Sequence, residues 1–183
     1  MRDCKGCSKI SEQGCSLGFP VVKSDKQDVW LRPTKCQKKY REKGKLEAKQ
    51  RKSYQKIKNK LDDVFQMWIR YRDNWTCCCC HTHIDPNSEG AKAKMHAGHY
   101  VGRGCLALRW DPKNVHAQCA TCNMQQNYYG IDPRYTKMLL VKYGPDILDY
   151  FAMKKHEMAK YTLADLEQKL EVYMDLLEQA KNS

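Results

Sequence analysis

The chain has 183 residues, enough for one core of ordinary size with a small appended module. Its 33 Lys and Arg against 21 Asp and Glu leave a formal charge of +12, which calls for a polyanionic partner, nucleic acid or an anionic membrane surface. No apolar run approaches the roughly 20 residues that cross a bilayer, which argues against the membrane and for nucleic acid.

Met1-Arg2-Asp3-Cys4 leads into polar sequence, so no signal peptide is expected. The eleven cysteines are odd in number and include C-x2-C pairs, a pattern that suits metal-bound thiolates in the reducing cytoplasm better than disulfides. Residues 1–36 read as loop-rich. Cys4-Lys5-Gly6-Cys7 has the form of a zinc knuckle, and with Cys15 and Cys36 it makes a second candidate zinc site. The alternative is a flexible tail carrying one isolated C-x2-C.

Residues 37–73 read as one basic amphipathic helix. From Lys35 to Lys60 there are ten Lys and two Arg against Glu42 and Glu47, a balance of +10 that holds almost the whole net charge. Tyr54, Ile57, Leu61, Phe65, Trp68 and Ile69 then recur at three- and four-residue spacing. A helix from Lys45 to Arg72 would be roughly 40 Å long and could follow several phosphates, with Lys49, Arg51, Lys52 and Lys56 as contacts. A solvated face is the plainer reading of such a run.

Residues 74–130 carry the chemistry. Strands are expected near Met95–Val101 and Leu106–Trp110, joined by Gly102-Arg103-Gly104. Cys77 and Cys80 form one C-x2-C pair and Cys119 and Cys122 another, with 38 residues between them. Two such pairs supply the four thiolates of a structural zinc. His81 and His83 offer other pairings, such as Cys78 with His81, but symmetry with Cys119 and Cys122 selects Cys77 and Cys80. Cys78, Cys79 and Cys105 are then spare. Arg103 and Arg109 are candidate phosphate contacts, and Trp110, Tyr128 and Tyr129 suit either base stacking or core packing. Residues 131–183 read as three helices: Arg134–Lys142, Asp146–Lys154, and a third from Thr162, with Asp165 placed for a capping box, to Gln179. Leu166, Leu170, Tyr173 and Leu177 stripe the last one for core packing, with homodimerisation as the alternative.

Asn114-x4-Cys119-x2-Cys122-Asn123, preceded by a His on a strand, resembles the HNH (ββα-metal) nuclease superfamily in its Asn-terminated variant. The longer runs Ala97-Gly98-His99-Tyr100 and Asn114-Val115-His116-Ala117-Gln118-Cys119-Ala120-Thr121-Cys122-Asn123 are similar to the phage NinG family, also called Rap recombination nucleases. The resemblance implies an α+β, mostly helical chain around a zinc-stapled core of treble-clef type. It also implies an endonuclease acting on branched double-stranded DNA such as Holliday junctions and D-loops, alongside other recombination proteins.

In that pattern His99 is the general base, Asn114 fixes the loop and the His99 ring, and Asn123 offers its carboxamide oxygen to Mg²⁺ or Mn²⁺. The position before the base, where many HNH proteins carry a second metal ligand, is Gly98. His96, two residues earlier on the same strand face, is the first substitute and His116 the second. The rival readings are a non-catalytic zinc-finger DNA-binding protein, an RNA-binding module and a restriction-type HNH nuclease.

Overall fold

A computed structural model describes the backbone of residues 10–11, 14–15, 22–23, 30–31 and 34–182, and the side chains of residues 42–182. The chain divides into two compact units, Met1–Tyr54 and Gln55–Ser183.

In the first unit, β1 (Ile10–Ser11) pairs antiparallel with β2 (Gly14–Cys15), and β3 (Val22–Lys23) pairs antiparallel with β4 (Trp30–Leu31). Helix α1 (Thr34–Arg72) starts three residues before the helix expected over residues 37–73. The stretch Lys35–Lys43 is rich in Lys, Gln and Glu, all strong helix formers, and the lone Gly44 costs only about 1 kcal/mol. Lys49, Arg51 and Lys52 are exposed. The side chains of Cys4, Cys7, Cys15 and Cys36, the second candidate zinc site, lie outside the described residues.

In the second unit α1 supplies a buried stripe of Leu61, Phe65, Trp68 and Ile69, while Lys56 stays exposed. Against it packs α6 (Leu163–Lys181), opened by the expected capping box of Thr162 and Asp165. The Tyr173 ring meets Phe65 edge-on at 4.7 Å and Trp68 at 5.1 Å, and its hydroxyl donates to the Trp110 carbonyl at 2.8 Å. Leu166, Leu170 and Tyr173 are thus buried within the chain itself.

The only sheet among the described residues of this unit is a pair of antiparallel strands, β5 (Met95–His99) and β6 (Val115–Cys119), with His96 opposite Gln118 and Gly98 opposite His116. This corrects the expected second strand. Residues Leu106–Leu108 instead form a turn of 3-10 helix. The reason is Asn114. Its buried carboxamide accepts from the Val101 N–H at 2.7 Å and donates to the Val101 and Leu108 carbonyls, each at 2.9 Å. Those bonds satisfy backbone groups that a hairpin would have paired, so residues 101–113 fold as a loop between the strands.

A short helix α2 (Ala91–Lys94) leads into β5, and α3 (Ala120–Tyr129) follows β6 directly. Gly130 at φ 88° and Gly144 at φ 83° end α3 and α4 (Pro133–Tyr143) in conformations that L residues rarely adopt. Helix α5 (Ile147–Lys155) completes a mostly helical α+β chain. Polar groups tie α1 to the sheet. Arg72 donates to the Pro112 and Val115 carbonyls, both at 2.8 Å, and Asp73 accepts from the Ala117 N–H at 2.8 Å. Burial alone would raise the Asp73 carboxyl, but the Arg72 guanidinium and the Ala117 N–H hold it below its ordinary value. No helix among the described residues is long and apolar enough to cross a membrane.

Candidate functional site

The four cysteines of the two C-x2-C pairs come together as expected. Cys77, Cys80, Cys119 and Cys122 place their sulfurs within 4.8 Å of one another, and Cys80 Sγ lies 3.7 Å from Cys119 Sγ. A tetrahedral zinc with bonds of about 2.3 Å needs sulfurs roughly 3.8 Å apart, so the donor set fits that ion.

Local backbone bonds build the cluster. The Cys77 N–H donates to the Thr82 carbonyl and the Cys78 N–H to the Ala117 carbonyl, which fastens the first knuckle onto β6. His81 closes the knuckle at φ 59°. Cys119 occupies the N-cap of α3, where its sulfur accepts from the Cys122 N–H. Three of the four thiols are shifted up, and Cys80, against the effect of burial, is shifted down, its sulfur bonded to Thr82 and Cys119. A hydrogen bond with Cys79, and then burial, push Cys77 up to about 11, and burial raises Cys122 as well. Cys78 and His81, the alternative pairing, stay outside this group of four.

Between β5, α3 and the end of α1 lies a cavity of about 610 Å³. His96 and His99 line it from β5, Asn123, Gln126 and Asn127 from α3, and Gln66 and Arg70 from α1. Lys92 and Arg103 add two more cations. No carboxylate among the described residues lines it.

The His99 ring has a defined tautomer. Its Nε2 lies 3.0 Å from the Arg109 carbonyl and must donate to it, which leaves the lone pair of the neutral ring on Nδ1. Burial, assisted by the nearby charges of Arg103 and Arg109, lowers its pKa to about 4 even though the Arg109 carbonyl works the other way. The ring is therefore a neutral base at pH 7. His96 is fixed in the same manner, with Nε2 bonded to the Ala93 carbonyl at 3.0 Å and Nδ1 facing the Asn123 carboxamide at 3.0 Å. The first substitute ligand and Asn123 are thus adjacent.

The remaining expected residues sort differently. His116 is not brought to the cavity. It is 1% exposed, its ring nitrogens face the hydroxyls of Tyr135 at 3.3 Å and Tyr143 at 3.0 Å, and burial lowers its pKa to about 3. Asn114 holds the 101–108 loop but not the His99 ring, which rests on the Arg109 carbonyl.

Arg109 is not free for phosphate. Its guanidinium forks onto the Asp62 carboxylate at 2.9 and 2.6 Å and donates to the Arg103 carbonyl at 3.0 Å. Trp110 is buried and donates to the same Asp62 at 2.8 Å, so it packs in the core. Tyr128 and Tyr129 are 77% and 87% exposed at the end of α3. The sequence reading did not single out Arg70 and Lys92. The only trace of Arg70 was a basic residue within the apolar turn Trp68-Ile69-Arg70-Tyr71.

The fold and site define a thiolate-stapled strand–strand–helix module with a basic, histidine-lined cavity. Residues 4–183 match the family model described as Bacteriophage Lambda NinG protein, and the chain belongs to this NinG family of phage proteins. No curated protein and no solved structure matches it significantly.

Proposed function

We propose that this chain is an endodeoxyribonuclease of the HNH (ββα-metal) type that hydrolyses phosphodiester bonds in branched DNA, Holliday junctions and D-loops among them. One observation carries the reading. A buried neutral imidazole, an imidazole–carboxamide pair and three cations share one cavity that, among the described residues, has no carboxylate to repel phosphate.

His99 Nδ1 takes a proton from water as that water attacks phosphorus, and the Arg109 carbonyl then accepts from the imidazolium so formed. Loop 101–108, held by Asn114, keeps that carbonyl in place. His96 Nδ1, on releasing the bond it accepts from the Asn123 NH2 group, and the Asn123 carboxamide oxygen would hold the divalent ion, which when bound supplies positive charge to the phosphate and the leaving 3′-oxygen. One ring nitrogen and one carboxamide oxygen, without a carboxylate, suit Mn²⁺ better than Mg²⁺, which is usually held through carboxylates. Arg70, Lys92 and Arg103 offer charge to the substrate backbone.

The exposed basic face of α1 supplies affinity without base reading, and exposed Tyr128 and Tyr129 offer stacking surfaces to unpaired bases at a branch point. Both features favour recognition of DNA shape over sequence.

The test offers four-way junction, D-loop and linear duplex in parallel, with Mg²⁺, Mn²⁺ or EDTA, to the parent protein and to His99→Ala. Metal-dependent cutting of the branched substrates by the parent, lost in His99→Ala with zinc content and melting unchanged, is the expected result. Binding with no cutting under any ion would leave a non-catalytic zinc-finger DNA-binding protein.

A further inference from the structure

We propose that Arg70 is the phosphate anchor of the cavity, its two Nη groups gripping a non-bridging oxygen pair of the DNA backbone beside His99. The inference rests on the reading of the cavity as a phosphodiester site.

Arg70 is 7% exposed, which is unusual for a guanidinium unless an acid pairs with it. No carboxylate lies within ion-pair distance of it among the described residues, and Asp63 acts on it only by longer-range attraction. Its position is nevertheless fixed. Nε donates to the Met95 carbonyl at 2.7 Å, and the guanidinium lies 6.0 Å from the centre of the Trp75 ring. Nη1 and Nη2 have no hydrogen-bond partner among the described residues, and the residue lines the same cavity as His96, His99 and Asn123.

A guanidinium stays protonated, so the structure holds a largely buried positive fork, unpaired with acid among the described residues, that an anion entering the cavity would neutralise. Lys92 and Arg103 at the same cavity, and a chain charge of +12, select a phosphate as that anion. The outer cations are exposed and guide; Arg70 is seated on a rigid helix and fixes position.

The experiment titrates the zinc-loaded, ¹⁵N-labelled protein with inorganic phosphate and, in a second arm, with a short DNA strand, both at constant ionic strength. It reads the Arg70 Nε and the His96 and His99 ring signals, without divalent ion and for the parent, Arg70→Lys and Arg70→Gln. In the parent, phosphate produces saturable shifts of all three residues and DNA produces them at lower concentration. In Arg70→Gln affinity falls by roughly tenfold to a hundredfold, and Arg70→Lys recovers part of the loss.

No saturable shift of Arg70 in the parent overturns the proposal, and so does an Arg70→Gln protein of normal zinc content that titrates like the parent. Should Arg70→Gln fail to fold, the parent titration and Arg70→Lys decide. A shift confined to the phosphate arm marks a site for the free anion and overturns the DNA assignment. The two readings separate cleanly. Phosphate binding at Arg70 in a protein that cuts nothing removes the nuclease and keeps the anion site; undiminished cutting by Arg70→Gln does the reverse.

Discussion

The Gln118 carboxamide fills the space that a side chain on Gly98 would need. A Cβ at Gly98 would lie 2.1 Å from Gln118 Oε1 and 2.9 Å from Gln118 Cβ across the strand pair. The glycine next to the proposed base is therefore a packing requirement of the sheet, and Gln118 itself bridges to Cys79 Sγ at 3.4 Å and to Gln126 at 3.1 Å. Gly98→Ala should destabilise the fold by about 1–3 kcal/mol, as overpacking does. Adding Gly98→Ala to Gln118→Ala should cost clearly less than adding it to the parent. Thermal melts of the four proteins check this; equal costs in both backgrounds would show that the two side positions do not compete.

Removing one thiolate should unmake the second unit. Cys119 is both a member of the sulfur cluster and the N-cap of α3; Ser keeps the cap and removes the thiolate, so Cys119→Ser tests the metal site itself. The expected result is loss of one zinc per chain together with a lower and broader melting transition. Metal analysis beside calorimetry measures it, and retention of both properties would remove the zinc assignment.

The pH dependence of cutting and of stability should diverge. The His99 pKa is lowered to about 4, so the base form persists and the rate per folded molecule should stay level from pH 8 down to about 5. Stability behaves otherwise. An unfolded histidine near 6.5 binds a proton that folded His99 refuses, so this contribution is complete above about 6.5 and is lost as the pH falls towards 4. Buried His116, lowered to about 3, adds a loss of the same sign. Chemical denaturation at pH 7.5 and 5.5, beside single-turnover cutting at the same values, checks both halves. A rate that halves near pH 6.5 would mean that the ring titrates as if exposed.

The basic face of α1 should govern salt dependence. Each phosphate neutralised on B-DNA adds about −0.9 to the slope of log K against log salt. Changing exposed Lys49, Arg51, Lys52 and Lys56 together to Gln should flatten that slope by up to about 3 to 4, with the rate at saturating DNA close to that of the parent. An unaltered slope would assign the run to solvation alone and shift attention to Arg103 and Lys92.

What the sequence made legible follows from how local each signal is. The C-x2-C pairs Cys77–Cys80 and Cys119–Cys122, the capping box at Thr162 and the apolar stripes of α1 and α6 are short-range patterns, and the structure bears them out. The second strand was misplaced because Gly102-Arg103-Gly104 looks like a hairpin turn, whereas a side chain twelve residues after Gly102 holds the loop. Val115–Cys119 was hard to recognise as a strand because His116 and Gln118 are polar yet buried. Arg109 and Arg70 could not be told apart by residue type. One meets Asp62 from 47 positions away and the other pairs with no acid among the described residues, and only the fold decides which cation is left for a ligand.

The sulfur cluster ties the knuckle at residues 77–80 to the junction of β6 and α3, and the residues proposed for cutting sit on β5 and that same helix. Their alignment is thus downstream of metal uptake, since a chain still waiting for its ion would have neither the helix start nor the strand pair firmly in place. For the nuclease proposed above this ordering would be protective. A newly made or metal-starved molecule would be silent before it is competent, and maturation would need no inhibitor to restrain it.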